Sequence, residues 1–208
     1  MEEKSSAPAE LRCGLVILAA GASRRMGSPK QLIELNGKPL IVRAAEAALA
    51  APVWPVVVVV GANSTAIRPV LAHLPVLIVE NSAWTEGMAS SIREGIGAVR
   101  QFSRGIDAAI LALCDQPAFS SETVARLLRA QRETGRGIVA ARYDGRLGAP
   151  ALFTREHFVS LASLTGEEGA RDLINGDPAR VAAVDLPELA HDLDTPADLN
   201  RERQQPGN

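Results

Sequence analysis

The chain has 208 residues, a formal net charge of −2, 47% hydrophobic residues and only 3% aromatics. That length buries a full core without staples, and the near-neutral charge excludes a globally basic binder of nucleic acid or anionic lipid, so any anion site has to be local. With so few aromatics the core leans on Ala, Val and Leu, which suits an α/β protein with buried strands better than an aromatic-rich sandwich.

Gly14 to Ala20 is a continuous apolar run ending at Gly21, the pattern of a buried parallel strand. From Pro39, the residues Leu40, Ile41, Ala44, Ala45, Ala48 and Leu49 recur at helical spacing. Val56 to Val60, closed by Gly61, is the second strand, and a helix from Ser64 toward Ala72 follows, which Pro69 should distort or shorten. Val76 to Val79 is the third strand and Met88 to Val99 the third helix, with Met88 assigned to the core. Ala108 to Leu113 is the fourth strand, closed by Asp115-Gln116-Pro117. Ser120 or Ser121 caps the next helix, whose buried face carries Val124, Leu127 and Leu128. Gly137 to Ala141 is the fifth strand, and Tyr143-Asp144-Gly145-Arg146 reads as a turn. Ala151 to Phe153 is a short strand that need not be parallel. Two short helices follow near Arg155 to Ala162 and Glu168 to Asn175, then a last strand over Val181 to Val184. This alternation predicts a single-domain, three-layer α/β sandwich: a mostly parallel Rossmann-like sheet, right-handed crossovers and a short mixed C-terminal region.

Cys13 and Cys114 lie in apolar runs outside any C-x-x-C or zinc spacing, so both are expected to be buried thiols. His73, His157 and His191 show no metal-ligand spacing. Met1 to Glu10 lacks the apolar centre of a signal peptide, and no apolar run approaches the ~20 residues of a membrane helix. The expectation is a cytoplasmic protein with no nucleic-acid or membrane partner. Its organisation reads as a disordered tail over 1–12, one domain over 13–202 and a polar tail over 203–208.

In an open α/β sheet ligands bind outside the carboxyl ends of the strands. The first such loop runs from Ala19 to Lys30, and its small residues let backbone N–H groups approach an anion and form a concave nest for phosphate. Arg24, Arg25 and Lys30 add positive charge, so a triphosphate is the expected guest. A P-loop is excluded because Gly21 and Gly27 are too far apart and Ser28 follows the second glycine. A dinucleotide fingerprint is excluded because Ala22-Ser23 follows Gly21.

The stretch Leu18 to Lys30 resembles the L-A-A-G-x-S-x-R-M-G-x-x-K signature of the MobA-like nucleotidyltransferases, which include molybdenum cofactor cytidylyltransferase and guanylyltransferase. The likeness continues in order through Asn81, Trp84, Gly87 and Ser91, then Cys114 to Pro117, Gly148 to Pro150, Gly166 to Arg171 and Asp192 to Pro196. It implies that Leu18, Ala19, Ala20, Gly21, Ala22, Ser23 and Gly27, with Arg25 and Lys30, hold a nucleoside triphosphate. Asn81, Gly87 and Ser91 would serve base and ribose; Gly148, Pro150 and Arg171 would meet the acceptor. Arg25, Lys30 and Asp115 would be catalytic, and Asp115 and Asp194 would bind Mg²⁺. The hard cation agrees with a carboxylate placed at the end of an apolar strand beside the glycine loop. Family members with Ala at the position of Ala20 transfer cytidylyl groups, which makes CTP the favoured donor and molybdopterin cofactor the favoured acceptor. Ala149 and Glu167 depart from the family pattern, and both departures fall on the acceptor side. An isoprenoid-pathway cytidylyltransferase acting on methylerythritol phosphate, another sugar-phosphate nucleotidyltransferase and a nucleotide-binding regulator are the alternatives.

Overall fold

The computed structural model describes residues 11–167, 169–193, 195, 197–199 and 201, without the side chains of Arg25 and Pro178. Asp194, residues 1–10 and the polar tail over 203–208 lie outside the described residues.

Seven strands form one sheet in the order β5-β4-β1-β6-β8-β7-β9. Strand β1 (Cys13–Ala19) pairs in parallel with both β4 (Val56–Val60) and β6 (Ala108–Leu113). On the outer side β5 (Leu77–Glu80) continues the parallel run. On the other side β8 (Arg146–Thr154) runs antiparallel to β6 and to β7 (Ile138–Tyr143), and β9 (Val181–Asp185) is parallel to β7. The expected mostly parallel sheet with a mixed C-terminal part is therefore present.

Strand alternation assigns the two faces. Leu15, Ile17 and Ala19 pack with α1 (Leu40–Leu49), α2 (Ser64–Leu71) and α4 (Ser121–Thr134) through Ile41, Ile67 and Leu127. Val16 faces the other way, toward Ile92 and Ile96 of α3 (Met88–Phe102), Leu161 of α5 (Phe158–Ala162) and Ile174 of α6 (Arg171–Asn175). The run Val56–Val60 is 0% exposed throughout, and each fully buried valine is worth about 1.5–3 kcal/mol of transfer free energy. Both cysteines are buried and free, and burial pushes the Cys114 thiol up to about 12.

Several local expectations need correction. The strand read over Ala151 to Phe153 is nine residues long, because its pairing with β7 continues through Gly148 to Arg146. A small hairpin, β2 (Glu34–Leu35) and β3 (Lys38–Pro39), turns on Asn36 and Gly37, which adopt φ 54° and 74° as the tight primed turn requires. Its Leu35 packs with Leu40 and Leu193, holding the C-terminal segment beside the first loop. Met88, assigned to the core, is 41% exposed at the head of α3. The helix expected to be distorted or shortened by Pro69 instead runs through it, from Ser64 to Leu71, and closes with the Ala72 N–H donating to the Pro69 carbonyl. Of the two candidate caps, Ser120 is the one used, in a reciprocal box with Thr123. Among the described residues no helix is long and apolar enough to cross a membrane.

Candidate active site

Because β1 lies between β4 and β6, the sheet order reverses there, and the loops leaving β1 and β6 open side by side. After β1 the chain passes Ala20 and Gly21 to Ser23, which sits in the left-handed region at φ 55°. Short 3-10 turns at Arg24–Met26 and Lys30–Leu32 follow, separated by Gly27 at φ 69°. The loop is tied from beneath by Gln31, 1% exposed, whose Nε2 donates to the carbonyls of Ala19 at 3.0 Å and Gly21 at 2.8 Å. Ser23 Oγ donates to Gln31 Oε1 at 3.2 Å and accepts the Lys30 N–H at 3.0 Å. With these carbonyls satisfied internally, the loop's N–H donors are the groups an anion would meet. Gln31→Leu removes the donor beneath two loop carbonyls. It should cost about 1–3 kcal/mol in denaturant titration and raise the nucleotide KM. An unchanged KM would show that the loop does not depend on this amide.

Asp115 follows β6 and is 8% exposed. Its backbone carbonyl accepts the Leu193 N–H at 2.9 Å, its Oδ2 accepts a hydrogen bond from Lys30 Nζ, and its buried Oδ1 has no hydrogen-bond partner among the described residues. The structure thus brings together the lysine and the aspartate that the sequence placed on separate loops. A buried carboxylate oxygen without a donor is costly, and a hard cation would satisfy it. Among the described residues no three His, Cys, Asp or Glu converge; Asp194, the other expected ligand, lies outside them.

Asn81, 1% exposed, follows β5 and works inside its own loop. Its Nδ2 donates to Ser90 Oγ at 2.8 Å and Ser91 Oγ at 3.0 Å, and its Oδ1 accepts the Ala83 N–H at 2.9 Å. Gly87 has φ 107°, and a Cβ there would lie 2.5 Å from the Gly166 carbonyl oxygen, so glycine is required twice over. The segment around Gly166 therefore lies directly on the head of α3, where the Ala89 N–H donates to the Gly166 carbonyl at 3.2 Å. Arg171, at the start of α6, is exposed.

On the other side of Asp115, Gln116, part of the Cys114 to Pro117 likeness but with no role assigned by it, is 3% exposed. Its Nε2 lies within hydrogen-bond reach of Tyr143 Oη at 3.3 Å, the Ala149 carbonyl at 3.2 Å and the Leu189 carbonyl at 3.4 Å. Tyr143 Oη donates to the Ala149 carbonyl at 2.9 Å. Burial first, and then the negative charge of Asp192, hold the Tyr143 phenol above its usual pKa, so it is a protonated donor at neutral pH. Because β8 runs antiparallel, Gly148 and Pro150 reach the same edge as Asp115.

The MobA-like NTP transferase domain model matches residues 15–184. Nicotine blue oxidoreductase of Paenarthrobacter nicotinovorans is 34% identical over 198 residues, spanning 89% of this chain and 94% of that protein. The crystal structure of Rv0371c from Mycobacterium tuberculosis H37Rv superposes with a TM-score of 0.79 at 27% identity, over 94% of this chain and 100% of that one. The same Mycobacterium tuberculosis protein in complex with manganese gives a TM-score of 0.75 at 25% identity, over 94% and 99%. With the small-residue loop after β1, the strand-end aspartate and the sheet order agreeing with the match, the chain belongs to the MobA-like NTP transferase family and is a nucleotidyltransferase.

Proposed function

We propose that this enzyme transfers CMP from CTP to molybdopterin cofactor, with Mg²⁺ bound and pyrophosphate released. The observation that carries the reading is the meeting of Lys30 and Asp115 at the adjoining ends of β1 and β6, one cation and one carboxylate beside an anion-receptive loop. A phosphate oxygen of the acceptor attacks the α-phosphorus in line; the bond from the α-phosphorus to the bridging oxygen breaks, and pyrophosphate leaves with its electrons. The nucleophile is already anionic near neutral pH, its second pKa being about 6, so no general base is required.

Positioning and charge neutralisation supply most of the rate in such chemistry. The backbone from Leu18 to Ser23 and Gly27, with Arg25 and Lys30, holds the triphosphate in this reading, and Lys30 meets the charge that grows on the departing pyrophosphate. Asn81 and Ser91 keep the loop ahead of Gly87 in shape for base and ribose, while Gly148, Pro150 and Arg171 meet the acceptor. Asp115 holds the cation, with Asp194 as the second carboxylate. When bound, Mg²⁺ neutralises phosphate charge and orients the reacting groups; the manganese complex of the Mycobacterium tuberculosis relative supports a divalent ion in this family. Ala20 is 5% exposed and its methyl lies against Gly61; in this reading that methyl narrows the space beside the base and favours a pyrimidine. One methyl group discriminates by only about 1–3 kcal/mol, so leakage to other nucleotides is expected.

The 34% identity to a protein named an oxidoreductase favours one second reading, a redox reaction drawing on a nicotinamide cofactor bound without the dinucleotide fingerprint that the loop after β1 lacks. One experiment separates the readings: pyrophosphate release with Mg²⁺, each of four nucleoside triphosphates, and either molybdopterin cofactor or methylerythritol phosphate, beside an assay of reduced nicotinamide oxidation. Release should be fastest with CTP and molybdopterin cofactor. Faster release with GTP overturns the Ala20 argument, transfer to methylerythritol phosphate alone reassigns the acceptor, and nicotinamide oxidation without pyrophosphate release supports the second reading.

A further inference from the structure

We infer that the Tyr143 hydroxyl is a positioning group for the acceptor: it fixes the path of Gly148 to Pro150 against Asp115, and through that loop sets acceptor recognition. The inference rests on the reading that this loop faces the acceptor.

The sheet does not fix this stretch. Along β7 and β8 the register passes from Ala140 opposite Ala151 directly to Ala141 opposite Gly148, leaving Ala149 and Pro150 outside the ladder. Pairing of β8 with β6 also stops at Ala151. Pro150 has no N–H to give a ladder, so the chain bulges where a regular strand would run, and such bulges re-aim a chain beside an active site. What holds the bulge is side-chain chemistry. Tyr143 Oη donates to the Ala149 carbonyl at 2.9 Å, and Gln116 Nε2 approaches both that carbonyl and Tyr143 Oη, at 3.2 and 3.3 Å. Gln116 is the next residue after Asp115, so the contact ties the loop to the carboxylate within one residue.

Gly148 shows that the hydroxyl is part of the loop's shape. It is not among the positive-φ glycines, so an L side chain fits its backbone conformation. A Cβ there would nevertheless lie 2.8 Å from Tyr143 Oη, with the next nearest atom, Tyr143 Cζ, at an ordinary 3.5 Å. Position 148 is glycine because an oxygen occupies the space, and removing the oxygen should make alanine acceptable there.

The test is a double-mutant cycle of Tyr143→Phe and Gly148→Ala, read by thermal midpoint without ligands and by KM and kcat for CTP and molybdopterin cofactor. Tyr143→Phe keeps the ring, and the Ala149 carbonyl keeps Gln116, so the midpoint should fall by only about 2–4 °C. The acceptor KM should rise about tenfold from the misplaced loop, with the CTP KM within about twofold of wild type. Gly148→Ala alone should push the hydroxyl off Ala149 and raise the acceptor KM similarly. Added to Tyr143→Phe, it should cost little more in either readout. An unchanged acceptor KM in Tyr143→Phe, or an equal rise in both KM values, overturns the positioning role. Additive losses in midpoint overturn the steric account of Gly148. If the wild-type protein transfers to neither acceptor, the functional reading has failed, and the midpoint arm alone still decides whether Tyr143 holds the loop.

Discussion

Asp115→Asn is expected to fold normally and to lose about 100- to 1000-fold in metal-dependent turnover, the range seen when one charged or dipolar group at a developing charge is removed. The substitution is close to isosteric. The backbone carbonyl at 115 still accepts the Leu193 N–H, and the asparagine oxygen still accepts a hydrogen bond from Lys30 Nζ, so the ends of β1 and β6 keep their contact. What disappears is the negative charge. The residue is 8% exposed, in a region poorly screened by water, so that charge has no substitute from bulk solvent. The check is kcat at saturating Mg²⁺ or Mn²⁺ beside a denaturation curve. A near wild-type rate at saturating metal would remove Asp115 from the site, and a lost unfolding transition would make it a structural residue.

The parts of this site that lie in one stretch of chain were legible in the sequence. The small, basic loop after an apolar run and the acid after another each follow from local chemistry, and β-α alternation was enough to place both at strand ends. The direct pairing of Lys30 with Asp115 was not legible, because it depends on β1 and β6 being neighbours in the sheet. The structural roles of Gln31 and Gln116 were not legible for a related reason. A glutamine in a sequence reads as a surface residue, and only remote carbonyls make its burial acceptable: those of Ala19 and Gly21 for one, those of Ala149 and Leu189 for the other. The full extent of β8 is masked in the sequence by Gly148 and Pro150, which break an alternating pattern; the bulge absorbs them and the strand resumes. The β2–β3 hairpin did carry a signal, since Asn36-Gly37 is the dipeptide a two-residue primed turn demands. Met88 illustrates the opposite error: an apolar residue at a helix head is not obliged to be buried, and here it lies against Gly169, at the rim of the loop around Gly166.

Lys30→Ala is expected to act in two opposite directions. On the proposed mechanism the ammonium meets pyrophosphate charge that grows in the transition state, so kcat should fall by about 100-fold while the nucleotide KM changes far less. In the nucleotide-free protein, however, the same ammonium pairs with Asp115, and the two side chains are only 19% and 11% exposed. A cation arriving without nucleotide has to displace that positive charge from the carboxylate it needs. Removing the lysine should therefore tighten binding of Mn²⁺ to the nucleotide-free protein by about tenfold, a modest figure because a partly solvated pair is worth only about 1 kcal/mol. Titration of free Mn²⁺ by its paramagnetic signal reads this without any turnover, and Asp115→Asn in the Lys30→Ala background should abolish the gain. A rise confined to KM would make Lys30 a binding residue with no special part in the transition state. Unchanged Mn²⁺ affinity would mean that lysine and metal do not compete for Asp115. The two effects together would describe a site whose cation and carboxylate neutralise each other at rest and exchange partners when the metal–nucleotide pair arrives.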